Sequence, residues 1–428
     1  MKAFFTLVLF LHSLVIFSQV DAFVIDTVTV PTCKNILTAE YKLKFEQDNK
    51  KITWVNTAQK HIIKEIYTEI QDGFLDKINR NNFICSGTAI AYLNSLLQEL
   101  LTKNNISAVG YKLLLSRDFQ ANAYNTGDGT IVVNYGTFLT VDSEDELVFI
   151  IAHEMGHQQL SHVKNDIATF ARLSTSEEII TKTRDIRRQK YGKATMATDL
   201  LKSISYQNYS QRRAREIEAD SLGLIFYNKT LRNPKAGITI LEKLDAADDE
   251  KDSLTVADYK FIFDSADFKV KDRYFEEEVT LFKKYDRDGR INIDSLKTHP
   301  DCTTRIQLIK GYLHNTVSGN LSNSKTFSNL KQNSTYQNLL NLFLEEKYGP
   351  GLYEALKLYK KDAGNPVLKN IIYCNLTKLY SARVNYTINR YVPAHDNKKN
   401  TASKNRFISF INNIKITDLQ TITNNFKS

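Results

Sequence analysis

The chain has 428 residues, enough for a buried catalytic core and an accessory region. Its 42% hydrophobic and 25% charged content is that of a folded globular protein and excludes a disordered or collagen-like chain. The net charge of +9 comes from Lys and Arg interleaved with Asp and Glu, which reads as solubility and argues against nucleic acid as a partner.

Met1-Lys2, an apolar run from Ala3 to Phe17 and the closing Ser18 to Ala22 have the form of a cleavable export signal. The cut is expected after Ala22, with Gln19 as the other choice, and an uncleaved anchor is the competing reading. The run is short against the roughly 20 residues of a bilayer span. Export to a periplasm or out of the cell is therefore expected. The longest apolar run near the motifs described below, Leu147 to Ala152, is too short to span, so no integral membrane segment is expected after signal cleavage. Cys33, Cys85, Cys302 and Cys374 form no CxxC pair. In an exported chain the favoured pairing is Cys33 with Cys85 and Cys302 with Cys374, with buried thiols as the alternative.

An extended opening at Val28 to Val30 precedes two helices, one over residues 56–79 with Ile62, Ile63, Ile66, Ile70, Phe74 and Ile78 at helical spacing, the other over residues 88–103. Residues 111–115 read as a strand. Residues 121–124 and 130–134 flank Gly127-Asp128-Gly129 as a β-hairpin. Ser143 and Glu146 then have the spacing of a helix capping box, and the helix they start should run to about His162. Helical patterning resumes over residues 167–225, broken around Tyr191-Gly192, and again over 236–244 and 256–285. Residues 315–337, rich in Ser and Asn, read as a linker. Beyond them, 338–358 and 367–381 form a helical hairpin around Gly364-Asn365-Pro366, similar to one tetratricopeptide-type unit. Residues 393–405 read as polar and mobile. The expected organisation is a signal at 1–22, a catalytic domain at 23–314, a linker at 315–337 and a helical C-terminal region at 338–428. The class is α+β, mainly α-helical, with a small sheet.

His153-Glu154-Met155-Gly156-His157 is an HExxH segment that follows an apolar run on a predicted helix. Residues four apart sit about 40° apart around a helix, so both imidazoles can face one metal ion while Glu154 reaches a water beside it as general base. A catalytic zinc takes three protein ligands and keeps one position open. Arg215-Glu216-Ile217-Glu218-Ala219-Asp220 offers the third ligand. Glu216 and Asp220 share a face and Glu218 points nearly the opposite way, which selects Glu216 as ligand and Asp220 as the acceptor that orients a ligand histidine. One Zn2+ per chain is expected.

Together these segments resemble the HtpX and BepA type of zinc metallopeptidases, a family that also holds the CAAX prenyl endopeptidases. The resemblance rests on Ala152 to His157 with Ser161-His162, on Glu216-x-Glu218-Ala219-Asp220, on Asn122-Ala123-Tyr124 with Gly129 to Val133, and on Thr298-His299-Pro300 with Arg305. It covers about residues 111–305 and implies a zincin-like metallopeptidase domain. By the same resemblance His153, His157 and Glu216 would hold zinc, Glu154 would be the base, Asp220 would stand behind a ligand histidine, and His299 and Arg305 would lie near the site. Unlike the membrane-embedded relatives, the chain lacks membrane-spanning helices, which counts against prenylated substrates and makes exported members with a tetratricopeptide-like tail the nearer comparison.

The expected function is zinc-dependent endoproteolysis of protein or peptide substrates, with unfolded or misfolded exported proteins as the natural targets. His299 or Arg305 would steady the oxyanion, and the strand at 130–134 would pair with extended substrate. The alternative is a chaperone-like or partner-binding protein with a latent metal site, using its C-terminal helices to recognise a protein partner. Asp286-Arg287-Asp288-Gly289 only superficially suggests a calcium loop, because its glycine falls too early and the closing Glu is missing. Sequons such as those at Asn208 and Asn375 are expected by chance in an Asn-rich chain.

Overall fold

The computed structural model describes residues 31–53, 56–246, 253–276, 302–312, 323–397 and 400–427. The expected signal at 1–22, the expected opening at Val28 to Val30, His299 and the Asp286 segment lie outside them. The first described element was not anticipated: Pro31–Lys50 is a helix, α1. It packs beside α2, Thr57–Asn79, through Leu37, Tyr41, Phe74 and Ile78. Cys33 is bridged to Cys85, as expected. Cys302 and Cys374 are not joined, which corrects the second pairing.

A four-stranded sheet follows, in the order β1-β2-β4-β3, from Phe83–Ile84, Lys112–Ser116, Thr130–Asn134 and Ala123–Asn125 respectively. The hairpin of β3 and β4 forms as the Gly-Asp-Gly turn predicts. In addition β4 lies parallel to β2, with Leu113 opposite Ile131 and Leu115 opposite Val133. Side chains alternate along a strand. Leu113, Leu115, Ile131 and Val133 therefore enter the main core, while Leu114 and Val132 meet α1 and α2 on the other face. Because β4 is flanked on both sides, it offers no backbone to a substrate, which corrects the expected role of residues 130–134. Among the described residues the edge of the sheet on the β4 side belongs to β3.

The main core is closed by α3 (Thr88–Lys103) and by α4 (Glu144–Gln159). Ser143 caps α4 by accepting from the Glu146 amide at 3.2 Å, and Glu146 in turn accepts from the Asp142 amide at 2.7 Å. The helix does not continue to His162. It stops at Gln159, Ser161 takes the left-handed conformation with φ of 54°, and His162 begins a new helix, α5 (His162–Ser174). Next come α6 (Glu177–Arg188) and α7 (Lys193–Asn228), divided at Gly192 as expected, then α8 (Ala236–Asp245).

The predicted helix at 256–285 ends early, as α9 (Val256–Phe263), and is followed by a 3-10 turn at Asp272–Phe275. This stretch leaves the main core: Tyr259, Phe263 and Tyr274 pack with Phe410 and Leu352 in a second core. The chain returns to the main core with α10 (Cys302–Tyr312). The expected linker is corrected too, since residues 325–337 form the first part of α11, Lys325–Leu344. Phe327 and Leu330 at its start belong to the main core, and Leu339 to the second. Between them Ser334, Gln337, Asn338 and Asn341 are buried and hydrogen-bonded, for example Arg117 Nη1 to Asn341 Oδ1 at 3.1 Å. The helix read over 338–358 breaks at Glu346, which has φ of 58°, and α12 (Tyr348–Tyr359) begins. It pairs with α13 (Pro366–Val384), whose first amides are capped by Asn365 as the Gly-Asn-Pro break predicts. Two further helices, α14 (Ala402–Asn413) and α15 (Ile416–Asn425), complete the second core, so residues 402–405 are ordered helix. Among the described residues no helix is long and apolar enough to cross a membrane.

Candidate metal centre

The site forms where α4 crosses α7, and small residues allow the crossing. A Cβ on Gly156 would meet the Ala219 carbonyl oxygen at 2.7 Å, and one on Gly223 would meet His153 Cα at 2.9 Å. Larger side chains at either place would push the helices apart and separate the groups they carry.

His153 and His157 stand one turn apart on α4 with their Nε2 atoms 3.0 Å from each other. Glu216 arrives from α7, with Oε2 3.6 Å from His153 Nε2 and Oε1 3.5 Å from His157 Nε2. The three donor atoms lie within 4.8 Å of one another. Glu154 is buried beside them and lines a cleft with His153, Asn122, Ala123 and Leu241. The edge strand β3 therefore runs along the wall of the same cleft.

His153 turns its Nδ1 to Asp220, 2.8 Å from Oδ1. Asp220 is gripped by the fork of Arg305, whose Nε and Nη2 donate at 2.6 and 2.9 Å. The remaining Arg305 nitrogen, Nη1, is 3.0 Å from Glu216 Oε2. Burial alone would raise both carboxyls, but Arg305 and His153 hold Asp220 below the usual carboxylate range. His157, His153 and Arg305 do the same to Glu216. His153 is raised, because Asp220 and Glu216 outweigh the burial that would lower it. The guanidinium sits near the site as expected but is committed to two carboxylates. It clamps Asp220 and Glu216 and also lines the cleft beside His153 and Glu154.

His157 turns its other nitrogen the opposite way. Its Nδ1 is 2.9 Å from Nδ1 of His162, and His162 Nε2 is 3.1 Å from Glu218 Oε2. His162 is buried, whereas the Glu218 side chain is 59% exposed, so this flank opens to solvent. Sequence reasoning missed the roles of His162, Glu218, Gly156 and Gly223. The first two carried a signal in their residue types and in their place within the motifs of the resemblance, the glycines only in their place inside helical patterns.

The arrangement suits a metal by its chemistry. Two imidazole nitrogens and one carboxylate oxygen converge from a rigid helix pair, and each imidazole has its other nitrogen engaged, which leaves Nε2 to face the shared point.

Residues 89–313, just over half of the chain, match the sequence profile of peptidase family M48. The chain is 24% identical over 190 residues to the mitochondrial metalloendopeptidase OMA1 of Schizosaccharomyces pombe, an overlap of 44% of this chain and 53% of that one. It is 26% identical over 163 residues to the "Putative beta-barrel assembly-enhancing protease" of Vibrio cholerae, an overlap of 36% and 32%. The chain thus spans about half of the first relative and a third of the second.

Proposed function

The chain belongs to peptidase family M48, and from that premise we propose that it is a zinc-dependent endopeptidase of exported proteins. The observation that carries the reading is the convergence of His153, His157 and Glu216 beside a buried Glu154 on the wall of a cleft. His153, His157 and Glu216 would hold the ion. A bound zinc ion supplies Lewis acidity and lowers the pKa of a neighbouring water.

The rest falls to the chain's own groups. Glu154 takes a proton from the attacking water as its oxygen bonds to the scissile carbonyl carbon. It then delivers that proton to the amine nitrogen as the C–N bond breaks. Asp220 and Arg305 act at one remove, by fixing the ring of His153 and the carboxylate of Glu216. Substrate would lie in extended form along β3, the sheet's edge beside the cleft, and be held through backbone atoms with little sequence preference. His299 remains the candidate for the oxyanion by resemblance. The Met1 to Ala22 pattern supports export, and the Cys33–Cys85 bridge suits an oxidising compartment.

The test is cleavage of casein by the purified mature protein beside Glu154→Gln, with zinc measured on both. Both should carry about one zinc per chain. The variant should lose activity by on the order of 10²–10⁴-fold, the usual share of general acid–base catalysis. Zinc on both with cleavage by neither would move the reading to a partner-binding protein, and absence of zinc from both would end the metallopeptidase reading for this chain.

A further inference from the structure

We infer that His162 and Glu218 form a positioning relay that fixes the ring of His157, the counterpart on the open flank of what Asp220 does for His153. The inference rests on the metal-centre reading above but concerns residues that reading leaves without a role.

The break in the chain makes the relay. On a continuous helix a residue five places after His157 would point about 140° away from it. With Ser161 in the left-handed region the backbone turns, and His162 restarts as the first residue of α5 with its ring against that of His157. The two ring centroids are 4.9 Å apart and the planes meet edge to face, at 79°. That geometry directs Nδ1 of one at Nδ1 of the other, 2.9 Å away.

Proton counting then gives each nitrogen its role. Glu218, as a carboxylate, can only accept, so the Nε2 of His162 that faces it at 3.1 Å carries the proton. A neutral imidazole has one N–H, so His162 Nδ1 is an acceptor. It can then receive only from a protonated Nδ1 of His157. That leaves the His157 Nε2 lone pair directed at His153 Nε2 and Glu216, where the ion would sit. Each donor in the series points from the metal centre toward solvent, and each step sets the tautomer of the ring before it. Partners of this kind on metal-binding histidines typically raise affinity or activity about 10–100-fold.

The experiment reads tautomers and metal affinity separately. Long-range 15N–1H spectra of the purified protein should show His162 with its proton on Nε2, with or without metal, because Glu218 accepts in both states. A proton on Nδ1 of His162 would overturn the relay. Zinc affinity by chelator competition should fall about 10–100-fold in His162→Ala. It should be largely restored in His162→Asn, whose Oδ1 falls near the place of the imidazole Nδ1 and can accept from His157. Glu218→Ala should weaken binding less than His162→Ala. Equal affinity in all of these proteins would overturn the relay. Should His162→Ala fail to fold, the spectrum of the unaltered protein and the Glu218→Ala affinity still decide. If the unaltered protein binds no zinc, the metallopeptidase reading fails, and the spectra still test the relay on their own.

Discussion

The two histidines of the site are held by opposite means. On the buried flank His153, which lines the cleft, meets Asp220, which is forked by Arg305, and the Asp220 and Arg305 side chains are sealed from water. On the open flank His157 meets His162, and the line ends at an exposed Glu218. A buried ionic partner is hard to lose, because its removal strands an opposite charge where water cannot reach. An exposed one is replaced by solvent. The first flank should therefore carry stability as well as geometry, and the second geometry alone.

The largest effect expected from this contrast is at Arg305. Arg305→Leu leaves the buried Asp220 and half-buried Glu216 carboxylates without their clamp, and should cost about 3–5 kcal/mol of stability. Denaturant unfolding of the metal-free protein measures it, so that a bound ion does not mask the loss. Adding Asp220→Asn removes one stranded charge and keeps an acceptor for His153, and should return about 1–3 kcal/mol. An Arg305→Leu protein as stable as its parent would mean that charge does not hold the buried flank.

A thiol on the same flank gives a smaller, sharper readout. Cys302 lies one turn before Arg305 on α10 and is fully buried, and burial pushes its thiol up to about 11 from an ordinary value of 9.0. Well below pH 9 such a thiol holds about a hundredfold less thiolate than an ordinary one. Alkylation of Cys302 in the native protein should be slower than that of the half-buried Cys374, and its rate should keep rising with pH toward 11. Equal rates at the two cysteines in the unaltered protein would show that the flank is already open.

How legible these features were in the sequence follows the same division. HExxH spacing and the shared face of Glu216 and Asp220 are properties of a single helix each, so the convergence of His153, His157 and Glu216 and the place of Asp220 beside His153 were legible directly. The relay could not. It depends on Ser161 adopting a left-handed backbone that glycine or asparagine would have signalled and serine does not. Helix α11 was hidden for a related reason: its middle is buried through Ser334, Gln337, Asn338 and Asn341, which pair by hydrogen bonds, so its composition imitates a linker. The transfer of Tyr259, Phe263 and Tyr274 to a second core is a tertiary choice that no local periodicity encodes. Similarly, Asn375 has the form of a glycan acceptor, yet it is buried on α13 and donates to the Ile371 carbonyl.

The smallest expected effect closes the comparison at Glu218. Its side chain is mostly in solvent, and a water molecule can accept the hydrogen bond that His162 donates to it with little loss of enthalpy. Glu218→Ala should therefore leave the stability of the metal-free protein within about 0.5 kcal/mol of its parent, as for most surface changes. Measured beside Arg305→Leu in the same denaturant, this separates holding a ring in place from holding the fold together. A loss above about 1 kcal/mol would be too large for a surface change of this kind. It would place Glu218 among the groups that stabilise the α4–α7 crossing and make the two flanks alike in kind, differing only in depth.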